Sequence, residues 1–203
     1  MRFILVRHGQ THWNKQRRIQ GGGADIDLDK TGRHQAAQVA QALGNHTLEA
    51  IYSSPMKRAL NTARPIARHH GLPVEIDPDL READMGDLDG LTLNEPTKQF
   101  GDFWAQWRAD IASAQFPGGE SMQSLRHRVE GAFHRIRERH PQGTVVVVGH
   151  TFALGTALVG ALGLDLSYFR RFRLETGSIT ALDLEDAGAT LVSLNDTCHW
   201  KEA

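Results

Sequence analysis

Apolar residues along the chain fall into short runs and helical stripes that alternate. Phe3-Ile4-Leu5-Val6 is one such run, ended abruptly by Arg7-His8-Gly9. Its β-branched content and polar boundary predict a buried strand. A polar stretch containing Gly21-Gly22-Gly23 follows and predicts a loop. Residues 30–43 carry Ala36, Ala37, Val39, Ala40 and Leu43 on one helical face, with Asp29 as N-cap and Gly44 as stop. Ala50-Ile51-Tyr52-Ser53 predicts a second strand, residues 56–70 a helix stopped by Gly71, and Val74-Glu75-Ile76 a third strand. Farther on, Pro117-Gly118-Gly119-Glu120-Ser121 leads into a helix reaching about His140. Residues 144–148 are the most strand-like run, followed by Gly149-His150-Thr151 and a glycine-rich helix over about 152–163. Residues 178–184 and 190–194 predict two edge strands joined around Asp186-Ala187-Gly188.

Strands alternating with helices predict an α/β fold with a mostly parallel sheet covered on both faces. Residues 84–119 break the alternation and cluster Phe100, Phe103, Trp104, Trp107 and Phe116. They predict a short helical insert over one end of the sheet. Its aromatics are expected to pack a small core of their own, with the lining of a substrate pocket as the alternative. The chain of 203 residues suits a single domain over 1–203, with the insert at about 84–119.

Composition narrows the function classes. Lys plus Arg (23) nearly balances Asp plus Glu (24), which argues against nucleic acid or an anionic membrane as the main partner. The single cysteine, Cys198, permits no intramolecular disulfide and no zinc ribbon, and suits a reducing compartment. The first apolar run is too short for a signal peptide. The longest, over 152–164, falls short of the roughly 20 residues a membrane helix needs. A soluble, cytoplasmic protein is expected. Asp25, Asp27 and Asp29 imitate the start of a calcium loop, but Lys30 and Ala36 stand where the turn glycine and bidentate glutamate belong. No P-loop, dinucleotide fingerprint, nucleophile elbow or H-E-x-x-H zinc motif occurs, and no metal or cofactor is called for.

Open α/β sheets place ligands at the carboxyl ends of their strands. Two strand candidates end there in histidine, His8 and His150, each beside a glycine (Gly9, Gly149) that would allow close backbone approach to a ligand. Arg7 adjoins the first histidine. Arg58 lies in the first turn of its helix, where a cation is disfavoured unless it turns toward an anion. Asn14 and Gln20 offer amide donors, and Glu82 is the carboxylate at the same edge. Together these residues make a dianion pocket with a proton donor. Neutral imidazole is a competent nucleophile toward phosphorus. Arg7, Arg58 and His150 would neutralise the phosphoryl oxygens, and Glu82 would serve as acid and then base.

The same residues resemble the signatures of the histidine phosphatase superfamily, the phosphoglycerate-mutase-like group. Arg7-His8-Gly9-Gln10-Thr11 with Trp13-Asn14 is similar to its R-H-G-x-T-x-W-N motif, and Ile19-Gln20-Gly21 to its Q-G. Ser53-Ser54-Pro55-Met56-Lys57-Arg58-Ala59 with Thr62-Ala63, Leu80-Arg81-Glu82 with Gly86 and Gly90, the Pro117–Ser121 run and Val148-Gly149-His150-Thr151 complete the set. The resemblance implies a three-layer α/β/α sandwich, phosphoglycerate mutase-like, with a mostly parallel central sheet. It implies His8 as phospho-acceptor, Arg7, Arg58 and His150 as phosphoryl ligands and Glu82 as acid and base. Asn14, Gln20 and the Thr151 backbone would be secondary contacts. No metal and no cofactor is implied.

The departures from that pattern bear on activity. Gln10 stands where relatives often have Glu. Glu82-Ala83-Asp84-Met85-Gly86 lacks the Arg and Tyr with which glycolytic mutases of the group hold phosphoglycerate. The insert is short, and the chain closes soon after its last strand. The expected function is therefore a phosphomonoesterase acting on a small phosphorylated metabolite through a phosphohistidine on His8. A 2,3-bisphosphoglycerate-dependent mutase is the alternative, and a non-catalytic phosphate-binding module a third reading. The oligomeric state is left open by the sequence, with a homodimer suggested only by the frequency of such assemblies.

Overall fold

The computed structural model describes residues 1–92, 99–185 and 187–200. Its strands are β1 (Arg2–Arg7), β2 (Ala50–Ser53), β3 (Val74–Ile76), β4 (Thr144–Gly149), β5 (Ile179–Glu185) and β6 (Gly188–Asp196). They form one sheet in the order β3-β2-β4-β1-β5-β6. Pairings β1–β4, β2–β4 and β2–β3 are parallel; β1–β5 and β5–β6 are antiparallel. The helices are α1 (His12–Lys15), α2 (Lys30–Ala42), α3 (Lys57–His70), α4 (Gly101–Ala109), α5 (Met122–Arg139) and α6 (Thr151–Ala161).

The pleat assigns each strand residue to one of two cores. Ile4, Val6, Ile51, Val146 and Val148 pack against Val39 and Ala40 of α2 and Ala59, Ala63 and Ile66 of α3. Phe3, Leu5, Tyr52, Val145 and Val147 face the other way, onto Ala132 and Ile136 of α5 and Leu154 and Leu158 of α6. Helices therefore cover both faces, as the alternation of elements predicts. A third apolar cluster lies beside the sheet. It joins Met85, Leu88, Phe103 and Phe116 to Leu125 of α5, Ala153 of α6 and Phe169.

Several local expectations need correction. β5 is an interior strand, held between β1 and β6, and β6 alone is the edge of that side. Its half-polar alternation mimics an edge because Thr180 and Leu182 are buried while Ile179, Ala181 and Asp183 stay partly open. The expected turn residue Asp186 lies outside the described residues. Gly71 ends α3 with φ of 65°, as a left-handed cap should. Gly44 plays no such part, because α2 already ends at a Leu43 cap in right-handed geometry. The loop after β1 contains an unforeseen single turn, α1. Thr11 Oγ1 accepts the Asn14 N–H and Asn14 Oδ1 accepts the Thr11 N–H, a reciprocal cap with Asn in the place usual for Glu or Gln.

Candidate active site

β1 and β4 are parallel neighbours, with Arg7 in register opposite Gly149. The residues that follow each strand therefore emerge side by side, and the His8 and His150 rings lie 5.1 Å apart, centroid to centroid. Both are buried. His8 Nδ1 is 2.8 Å from the Gly9 carbonyl oxygen. Since a carbonyl can only accept, Nδ1 carries the proton and Nε2 keeps its lone pair. Burial first, then the Arg58 and Arg7 charges, hold His8 well below the usual imidazole range. The ring is thus a neutral imidazole with a defined tautomer and a free basic Nε2.

A cavity of about 310 Å³ opens at this end of the sheet. Arg7, His8, Asn14, Gln20, Glu82 and Thr151 all line it, so six of the eight expected site residues share one space. Arg7 donates Nη1 to the Leu174 carbonyl at 2.5 Å, while its buried Nε has no partner. Gln20 accepts the Thr11 hydroxyl proton at 2.7 Å, and its Nε2 is likewise unpartnered. Unpaired donors in a buried cationic setting are the signature of an anion site.

Arg58 and His150 join the same cluster, Arg58 bonded to His150 and the His150 ring beside His8. Neither is among the cavity-lining residues, and both are fully buried. Arg58 donates Nη2 to Gly21 O at 3.1 Å, Nη1 to Ala24 O at 2.8 Å and Nε to His150 Nδ1 at 3.2 Å. His150 Nδ1 therefore accepts, and its Nε2–H donates to Ser54 Oγ at 2.8 Å. Desolvation pulls the Arg58 guanidinium down to about 10, which still leaves it charged at neutral pH. Its position in the first turn of α3 is stabilised by the carbonyls of the glycine loop, which offset the unfavourable helix dipole. That loop is fixed in turn by Asp89, whose carboxylate accepts the Gly21 and Gly23 N–H groups.

Glu82 is brought in from the turn after β3. Oε1 accepts from Ala83, Phe152 and Ala153 N–H groups at 3.0–3.1 Å, and Oε2 from Phe152 at 3.1 Å. The carboxylate therefore sits on the N-terminus of α6. Among the described residues, Thr151 N–H in that first turn has no backbone partner. Burial pushes the Glu82 carboxyl above its ordinary range, against the pull of those N–H donors and Arg58. Arg128 braces the turn from behind, donating to the Asp79, Arg81 and Glu82 carbonyls while paired with Glu120 at 2.5 Å.

Sequence reasoning missed Ser54, Asp89, Arg128 and Arg18, which also lines the cavity. Two glycines also have a packing role. A Cβ on Gly9 would meet the Gly32 carbonyl at 2.4 Å, and one on Gly149 would press on Leu154 at 3.1 Å. They allow α2 and α6 to approach the strands. The insert aromatics meet both readings of the sequence: Trp107 packs against Trp104 and Phe116, and all three line the cavity. Positions 93–98 of the expected insert lie outside the described residues. Among the described residues, no group of three or more His, Cys, Asp and Glu could hold a metal ion, and no helix is long and apolar enough to cross a membrane.

Known proteins resemble the chain over nearly its whole length. The family model for the histidine phosphatase superfamily (branch 1) matches residues 3–197. Phosphoserine phosphatase 1 of Hydrogenobacter thermophilus is 36% identical over 100% of this chain and 95% of its own length. A Yersinia pestis protein named "Probable phosphoglycerate mutase GpmB" is also 36% identical, over 98% of this chain and 94% of its own. Among solved structures, the alpha-ribazole phosphatase of Shigella flexneri superposes with a TM-score of 0.87 at 28% identity, covering 97% of this chain and 96% of that one. Phosphoserine phosphatase of Entamoeba histolytica, in complex with phosphoserine, gives 0.88 at 30% identity over 98% of each chain.

Proposed function

The chain belongs to the histidine phosphatase superfamily, and from that premise we propose that it hydrolyses phosphate monoesters of small metabolites through a phosphohistidine on His8, without a metal. The observation that carries this reading is the His8 ring. Its Nδ1–H is held by the Gly9 carbonyl, which turns the basic Nε2 into the catalytic nitrogen of a cavity shared with Arg7 and Glu82. We read residues 1–203 as one such domain, with about 84–119 as its substrate-facing insert, in a reducing, cytoplasmic setting.

In the first step, His8 Nε2 attacks phosphorus and the bond to the ester oxygen breaks. The Glu82 proton passes to that oxygen, so the product leaves as an alcohol. Arg7 and Arg58 supply positive charge to the phosphoryl oxygens, and the neutral His150 ring holds Arg58 in place through Nδ1. Asn14, Gln20 and the Thr151 N–H complete the cradle as donors. In the second step, the Glu82 carboxylate takes a proton from water, whose oxygen attacks phosphorus. The phosphorus–nitrogen bond breaks and inorganic phosphate leaves. The charges balance. Two guanidiniums with a protonated Glu82 match a phosphoryl dianion, which is why a raised carboxyl pKa suits the site.

Release of inorganic phosphate from an aryl phosphate in excess EDTA tests this, with wild type and His8→Ala side by side. Turnover that survives EDTA and vanishes in the variant is expected. Interconversion of phosphoglycerate isomers with no phosphate release would favour the mutase reading instead. Loss of activity in EDTA that is restored by added metal would defeat the metal-free route.

A further inference from the structure

Opposite the phosphoryl cradle, the cavity wall is apolar and mostly aromatic: Met85, Leu88, Trp104, Trp107, Phe116 and Phe152. We propose that this wall is a leaving-group subsite for a flat, uncharged ring, and that the preferred substrates are phosphate monoesters of primary alcohols bearing an aromatic or heteroaromatic group. The proposal rests on the phosphatase reading above and names the substrate class for it.

The first argument is construction. On α4, Phe103 is the ring turned into the core, only 7% exposed, whereas Trp104 and Trp107 are partly buried and line the cavity. The wall is a connected array. Trp107 lies 5.6 Å from Phe116 and 5.8 Å from Phe152, centroid to centroid. A second layer backs it. Phe103 is 5.6 Å from Phe116, and Phe169 stacks on Phe152 at 5.0 Å with planes 29° apart. Rings held on two sides lose little freedom when a ligand arrives, so the subsite is preorganised for apolar contact.

The second argument is charge. Beyond Arg7, His8 and Glu82, the one charged side chain among the described lining residues is Arg18. It is exposed, and it is engaged through Nη1 with the Gly90 carbonyl at 2.7 Å and through Nε with Gln16 Oε1 at 2.9 Å. Among the described lining residues the one carboxylate is Glu82, and it is taken up by the first turn of α6 rather than open to an ammonium. A zwitterionic alcohol such as serine would place its ammonium among rings with no counter-charge, at a desolvation cost. Nor does the wall suit a cation held by ring faces. The Arg170 guanidinium already lies 5.3 Å from the centre of the Trp107 ring, and Arg18 adds a second positive charge. The third argument is size. A cavity of about 310 Å³ has room for a phosphoryl group and one or two fused rings, at the small end of ligand pockets.

The test compares kcat/KM for esters whose leaving alcohols differ little in acidity: ethyl, 2-phenylethyl and 2-(1-naphthyl)ethyl phosphate, beside phosphoserine, 3-phosphoglycerate and phosphocholine. The naphthylethyl ester is expected to exceed ethyl phosphate by about 100-fold, from the apolar area its rings remove from water. The three charged alcohols are expected at or below ethyl phosphate. A flat series, or a charged alcohol in first place, would overturn the proposal and leave the phosphatase reading intact. Trp107→Ala and Phe116→Ala should each cut the naphthylethyl-to-ethyl ratio by roughly tenfold. If Trp107→Ala does not fold, Trp107→Leu serves in its place. An unchanged ratio in folded variants counts against the subsite. If wild type turns over no ester at all, the phosphatase reading fails instead. The subsite is then judged by calorimetric titration with 2-(1-naphthyl)ethanol: binding supports it, and no binding removes it.

Discussion

The two ends of the cavity are made of different material. The phosphoryl end is assembled from the tips of parallel strands and the first turns of helices: His8 after β1, His150 after β4, Arg58 on α3 and Thr151 on α6. Its polar groups are buried and tied to backbone carbonyls and N–H groups. The leaving-group end comes from short turns and the nine-residue α4, and is held by ring-to-ring contact. Directional hydrogen bonds fix where a charge must develop; apolar packing fixes only a shape. One end can therefore specify a reaction while the other is free to specify a substrate.

Substitutions at the two ends should accordingly fail in different ways. The largest effect is expected from Arg58→Ala. Loss of a buried cation near the phosphoryl group should lower kcat/KM by roughly 10³-fold. Stability should fall by only about 1–3 kcal/mol, as the Gly21 and Ala24 carbonyls lose a donor. Steady-state kinetics and urea unfolding on the same preparation would show this. A comparable loss of rate from an aromatic-wall residue would blur the contrast.

Glu82→Gln comes next, with a loss of about 10²-fold for alkyl esters and much less for aryl esters, whose leaving groups need no proton. The pH profile gives the sharper readout. His8 must be neutral and Glu82 protonated. Burial and the arginines lower the His8 pKa, so the acid limb lies below the usual imidazole range. Burial raises the Glu82 pKa, so activity is lost with rising pH only above the usual carboxyl range. The first shift moves the acid limb down and the second moves the alkaline limb up, so both favour the state in which His8 is neutral and Glu82 protonated. The Gln variant should keep the acid limb and lose the alkaline one. An alkaline limb that persists would assign it to another group.

The smallest effect on rate is expected at Phe103, which backs the wall but does not line it. Phe103→Ala should cost about 3–5 kcal/mol of stability, as large core deletions do. Turnover of ethyl phosphate by the folded fraction should change only a few-fold. Thermal unfolding followed beside activity would separate the two.

The same contrast explains what could be read from the chain. Strand runs such as Phe3–Val6 and 144–148 are buried on both faces, so their apolar continuity is explicit in the sequence. The polar cradle follows them at fixed offsets, and six of its eight expected members meet in one cavity. Tertiary placement was hidden. The placement of Arg58 depends on the Gly21 and Ala24 carbonyls, which belong to a distant loop. Asp89 could not be chosen from the insert's acids, because its partners are backbone N–H groups more than sixty residues away. For the rings of α4, helical spacing puts Phe103, Trp104 and Trp107 on neighbouring faces, but gives no sign of which meets the core and which the cavity. β5 reads as an edge because burial of one face, not pairing, sets its alternation.

Rapid mixing with a ³²P-labelled ester, followed by alkaline quench, tests the central claim most directly. Label should enter the protein at least as fast as turnover, survive alkali, be released by mild acid and map to His8; no label in a catalytically active preparation, or label on any other residue, would contradict the account.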